Sequence, residues 1–153
     1  MLQHDYLLEI INEFVESITQ ALKRAYASDD EAEIRQAAHD VEEDIAALMD
    51  LDPAVTMSLS PDSLVTMMLL SGLGDAVCGY VAFALERLSE IYERMGDADT
   101  AAFQHQQVEA VATSFGCDLK KPPAELVGLA RALSAQAAKW KGSLLSSSSA
   151  GSV

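Results

Sequence analysis

Apolar residues recur along the chain at alternating spacings of four and three, the mark of amphipathic helices with one packed face. Leu7, Ile11, Phe14, Ile18, Ala21 and Ala25 form the first such stripe and predict a helix over residues 3–27. Ser28-Asp29-Asp30-Glu31 comes next with the spacing of a capping box, in which Ser28 accepts from a free backbone amide and Glu31 reaches back. A second stripe, Ile34, Ala38, Val41, Ile45 and Leu48, starts there. So short a connection predicts an antiparallel hairpin with the first helix.

The pattern lapses over residues 50–60, a loop around Leu51-Asp52-Pro53 with room for one helical turn. Ser60-Pro61-Asp62 then restarts a helix, with Ser60 as cap, Pro61 at the first helical position and Asp62 favourable to the dipole. This third helix is short and apolar and ends near Ser71. A fourth, over residues 75–95, carries Cys78, Val81, Leu85, Leu88, Tyr92 and Met95 on one side and stops at Gly96. Asp97 caps a fifth, whose stripe is Ala101, His105, Val108, Ala112 and Phe115. Beyond Gly116-Cys117-Asp118 and Lys120-Lys121-Pro122-Pro123, a sixth shows Leu126, Ala130, Leu133, Ala137 and Trp140. The expectation is an all-α protein of about six helices, a single domain over residues 1–141, with a Ser-rich flexible tail over 142–153.

Composition agrees with helices: 153 residues, 50% of them hydrophobic, hold only 4 prolines, and no alternating β-branched run appears. Residues 64–85 carry Asp75 as their only charge and have the length of a bilayer span. Gly72-Leu73-Gly74-Asp75 near the middle supplies a helix stop and start, so the expectation is two buried helices meeting at a turn and no membrane span. The formal charge of −14 is concentrated early: residues 1–60 hold 14 acidic and 3 basic side chains, residues 61–153 hold 10 and 7. Such a field disfavours nucleic acid and anionic lipid and favours basic partners. Two cysteines make no disulfide framework, and Met1-Leu2-Gln3-His4-Asp5 is no secretory signal, so the expected compartment is a reducing cytoplasm.

No catalytic constellation emerges. A di-metal bundle needs Glu-x-x-His on two helices, and the residues three before His4, His39 and His105 are Met1, Gln36 and Ala102. His39 with Glu42 or Glu43 offers only two ligands, and His105 is expected in the core, bonded to a neighbouring carbonyl or hydroxyl. Asp50-Leu51-Asp52 is not a Ca²⁺ loop, because Val55 and Pro61 occupy the glycine and glutamate positions. Cys78 reads as a small core residue and Cys117 as a residue past a helix end. Neither shows an activated nucleophile. No metal, cofactor or enzymatic activity is expected.

Residues 82–115 have the length of one tetratricopeptide repeat, with Leu85, Leu88-Ser89, Tyr92, Gly96-Asp97 and Ala101 at that family's spacings. The segment resembles a tetratricopeptide helix pair, with His105 where the family has an aromatic residue. The chain as a whole, through Asp5-Tyr6-Leu7-Leu8 and Leu59-Ser60-Pro61-Asp62-Ser63-Leu64, is similar to a family of small bacterial helical proteins without an assigned function. The tetratricopeptide resemblance implies a protein-interaction or scaffolding domain with partner contacts at Phe83, Glu86, Glu90, Glu93 and Arg94. Three of these are acidic, so a basic or amphipathic peptide segment is the expected partner. Two other functions stay open. One is a self-associating homodimer, with Lys120, Lys121, Arg131, Lys139 and Lys141 complementing acidic residues 29–44 within or between chains. The other is a bundle that binds a small ligand or metal.

Overall fold

The computed structural model describes the backbone of residues 2–151 and the side chains of residues 6–140. Its described residues are helical and contain no strand. Seven α-helices succeed one another: α1 (Leu2–Ala27), α2 (Glu31–Met49), α3 (Pro53–Ser58), α4 (Pro61–Ser71), α5 (Gly74–Arg94), α6 (Ala98–Phe115) and, after a 3₁₀ turn at Ala124–Leu126, α7 (Val127–Gly151). The helix beyond the expected six is α3. Asp52 accepts from the Ala54 amide and Pro53 opens the turn, so six residues of the predicted loop wind up.

The first two helices form the expected hairpin, with Ile18, Leu22 and Ala25 buried in the same core as Ile34, Ala38, Val41 and Ile45. Its connection differs from the predicted capping box. The Ser28 amide completes the last turn of α1 by bonding to the Arg24 carbonyl, so the next helix opens later and Asp30 caps it, accepting from Ala32. The Ser28 hydroxyl instead accepts from the Asp30 amide and donates to Glu33.

The centre of the fold is α5, buried at Val77, Cys78, Val81 to Leu85, Leu88 and Ile91, and in contact with α1, α2, α4 and α6. Its antiparallel neighbour α6 is capped by Asp97 as expected, but its buried face is rotated from the predicted stripe. Ala101, Gln104, Gln107, Val108 and Val111 face inward, and His105 is exposed beside Glu109 at 3.2 Å. Glutamine stems can be buried when their amides find partners. Gln107 does so with its NH2 group, which donates to the Leu59 carbonyl at 2.9 Å and ties the lead-in of α4 to α6, while its Oε1 and that of Gln104 have no partner among the described residues.

The expectation of two buried helices over residues 64–85 holds for α5 and fails for much of α4. Only Leu64 and Met68 of α4 are buried, while Leu69 and Leu70 are 61% and 77% exposed. An 11-residue helix leaning on α6 can turn only one side to it. Among the described residues no helix is long and apolar enough to cross a membrane. The two glycines of the turn have separate reasons. Gly72 takes φ 73°, the left-handed cap, and Gly74 lies so close to Phe115 that an added Cβ would overlap its ring.

The last helix is fastened near residue 140. The Trp140 indole N–H donates to the Tyr26 carbonyl at 2.9 Å, and the two rings lie 4.5 Å apart between centroids. The Arg94 guanidinium sits 4.2 Å from the Trp140 ring and donates to the Ala25 carbonyl at 3.2 Å. The C-terminal ends of α1 and α5 are thus joined to the middle of α7. The backbone of 142–151, expected to be a flexible tail, continues α7, and no proline stands there to stop it. Ser152 and Val153 lie outside the described residues.

Candidate functional site: a cleft between α5 and α7

The connection from α6 to α7 builds one wall of a large cleft. Gly116 ends α6 at φ 71°, and the Cys117 amide bonds back to the Ala112 carbonyl. Asp118 then folds the chain, accepting from the Lys120 amide with its side chain and from the Lys121 amide with its carbonyl. Pro122 and Pro123 stiffen the approach to α7, and Pro123 packs where Gly79 leaves α5 without a side chain. The Tyr80 phenol donates to Glu125, which pins the 3₁₀ turn to α5. Burial and that carboxylate push the Tyr80 hydroxyl up to about 12.

The cleft encloses about 700 Å³. Its apolar lining comes from Phe83 on α5, Leu119 and Pro122 on the connection, and Val127 and Ala130 on α7. Lys120, Lys121 and Arg131 bring three exposed cations to it, and none of them is in an ion pair among the described residues. Arg87 lies 5.3 Å from the Phe83 ring centroid and holds Glu90 at 2.7 Å, while its buried Nε has no hydrogen-bond partner among the described residues. Glu86 is half-buried at the cleft, and burial raises its carboxyl above the usual range against the opposing pull of Arg87. A smaller pocket of about 290 Å³ shares Phe83, Glu86, Leu119, Lys121 and Pro122 with the cleft and reaches Cys78 and Cys117.

The five residues expected to bind a partner are not one outward surface. Phe83 is buried at the base of the cleft and Glu86 stands at its side. Glu90 accepts from the Tyr26 phenol at 2.5 Å and from Arg87, and burial together with this carboxylate holds the Tyr26 proton far above its ordinary range. Arg94 is engaged with Asp29, the Ala25 carbonyl and Trp140. Glu93 alone of the five is exposed. Two of the five therefore meet at the cleft, two serve the joint between helices, and one stands apart.

Sequence reasoning missed the cleft because its walls are about 40 residues apart in the chain; the available signal was the Lys-Lys-Pro-Pro run, a stiff segment bearing two cations. It also missed that Cys78 and Cys117 meet, sulfur to sulfur at 2.6 Å. Lys120, Lys121, Arg131 and Lys139 do not pair with residues 29–44 within the chain among the described residues, and the Lys141 side chain lies outside them.

A second groove, between α1 and α2, is lined by Glu13, Glu16, Asp40, Glu43 and Asp44, with Arg24 paired to Asp40 at 2.8 Å. Burial, aided by Asp40 and Glu43 and opposed by the nearby Ser17 hydroxyl, raises the Asp44 carboxyl. His39 is exposed and faces Glu43 at 3.1 Å. No group of three His, Cys, Asp or Glu side chains among the described residues is arranged to hold a metal ion. In comparisons with known proteins, the chain matches no family model, no curated protein and no solved structure.

Proposed function

We propose that the protein is a protein-interaction domain whose α5–α7 cleft receives an amphipathic partner segment with apolar anchors and acidic side chains. The observation that carries this reading is the set of three unpaired cations around an apolar floor, on a chain whose formal charge is −14. Cations left without internal partners beside exposed apolar surface suit a ligand of opposite charge. The tetratricopeptide-like spacing of the α5–α6 pair supports the same class of function, and the Ser89 hydroxyl there donates to the Ala101 carbonyl at 2.8 Å, which brings the two helices close. The sign of the partner changes from the expected basic segment, because Glu90 is occupied inside the molecule and the cleft presents Lys120, Lys121 and Arg131.

Selection from a random peptide library against the purified chain tests this. The expected outcome is enrichment of peptides that combine Asp or Glu with Leu, Ile or Phe, lost when Lys120, Lys121 and Arg131 are changed to Glu. Peptides enriched equally by both proteins would sink the cleft as the recognition site. Self-association is a second reading, favoured by the exposed Leu69 and Leu70 of α4. Light scattering at low and high salt decides it, since a strict monomer in both leaves those leucines without a partner copy.

A further inference from the structure

We propose that Cys78 and Cys117 form a dithiol modification site, at which two-electron oxidants create an intrachain disulfide in the small pocket beside the cleft. The two sulfurs are 2.6 Å apart and come from elements 39 residues apart in the chain. Both residues are held by their backbones. Cys78 lies within the second turn of α5, and the amide of Cys117 is bonded to Ala112 just beyond the left-handed Gly116. Bond formation therefore asks for little backbone movement, which is what decides whether two cysteines can be bridged.

The pair is ordered and asymmetric. The Cys117 thiol donates to the Cys78 sulfur, and the Cys78 thiol donates to the Asp75 carbonyl at 3.6 Å. Cys78 is 8% exposed, whereas Cys117 is partly exposed, and both line the 290 Å³ pocket that opens beside Lys121. An oxidant thus meets Cys117 first, with Cys78 behind it as the resolving thiol. Burial and the neighbouring Cys78 push the Cys117 thiol up to about 12, which keeps the reduced pair slow toward weak electrophiles at neutral pH.

With hydrogen peroxide as oxidant, the Cys117 thiolate attacks one peroxide oxygen, the O–O bond breaks, and the departing hydroxide leaves as water with the thiol proton. Cys78 then attacks the sulfenic sulfur, the S–S bond forms and a second water departs. Two thiols have lost two electrons and two protons, and one peroxide has become two waters. The product ties α5 to the segment that carries Leu119, Lys120 and Lys121. Its formation does not depend on the cleft being a recognition site.

The test treats the full chain, folded and reduced, with increasing hydrogen peroxide, then blocks free thiols with N-ethylmaleimide and measures intact mass and digested peptides. The expected product is a monomer that takes up no maleimide, yields one peptide joining Cys78 to Cys117, and reverts with dithiothreitol. Closing a 39-residue loop should also raise Tm by roughly 5–10 °C over the reduced protein. C78A and C117A, tested separately, should show no such rise, and in C78A a Cys117 sulfenic acid should be trapped by dimedone. The proposal is overturned if the folded protein still takes up two maleimides, if the disulfide joins different chains, or if Cys117 passes to sulfinic acid with Cys78 still free. Should one alanine variant not fold, the serine variant at the same position takes its place, and the wild-type mass result stands independently.

Discussion

The groove between α1 and α2 and the cleft between α5 and α7 are built from similar helices and have opposite characters. The first is made within one hairpin and is lined by carboxylates, its single Arg24 already paired with Asp40. The second is assembled from segments distant in the chain, gathers most of its charge as free cations, and has an apolar base. A local hairpin groove keeps whatever charge its two polar faces carry and stays wet. A cleft that depends on docking a remote helix can juxtapose apolar and charged groups that the chain keeps apart.

The strongest way to break this contrast is Trp140→Ala. Removing a large aromatic side chain from a packed joint costs about 3 kcal/mol, near the lower bound for such changes because Trp140 is only partly buried. Chemical denaturation measures the loss, and hydrogen exchange should show faster exchange in α7 with α1 and α2 protected as before. Next comes the charge of the cleft. Lys120→Glu, Lys121→Glu and Arg131→Glu together should weaken an acidic amphipathic peptide by roughly 10- to 100-fold in a titration at low salt, with the fold unchanged by circular dichroism.

A smaller effect is expected from Gly74→Ala. The new methyl group would meet the Phe115 ring, and overpacking of this kind costs about 1–2 kcal/mol, read as a lower denaturation midpoint. Because Phe115 is the residue before Gly116, the cleft wall should loosen with it. The smallest change is Asp44→Asn in the acidic groove. A carboxyl whose folded pKa is raised stabilises the fold in its protonated form, and that stability is lost as pH rises from its ordinary value through the raised one. At neutral pH the variant should therefore equal or exceed the parent, by less than about 1 kcal/mol. Its stability should also vary less with pH across that interval, and urea midpoints measured on both proteins check this.

The helix ends at Ser60, Gly72, Gly96, Asp97 and Gly116 were legible because caps and left-handed stops are local chemistry. The apolar stripes of α1, α2 and α5 were legible because one face of each meets the core along most of its length. What escaped were the features set by neighbours. Ala101, Val108 and Ala112 fit a stripe through His105, but Val108 and Val111 fit another through Gln104, and only the packing of α6 against α5 and α4 selects between them. Leu69 and Leu70 are as apolar as Leu64, and periodicity does not say which side finds a partner. Glu90 and Arg94 looked outward on an isolated helix and are taken up by Tyr26 and Trp140, residues distant in the chain. The cleft residues carried the same limitation, since Phe83 and Lys121 share a wall only because the connection after α6 folds back onto α5.

Trp140 is the chain's single tryptophan, and it sits where α1, α5 and α7 are joined. Its emission therefore observes one joint and nothing else. Tyr26, at 4.5 Å between ring centroids, is placed to pass its excitation on to the indole, and that transfer ends when the last helix lifts away. The molecule carries an optical gauge of that joint, one that reports separation of α7 from α1 without any added label.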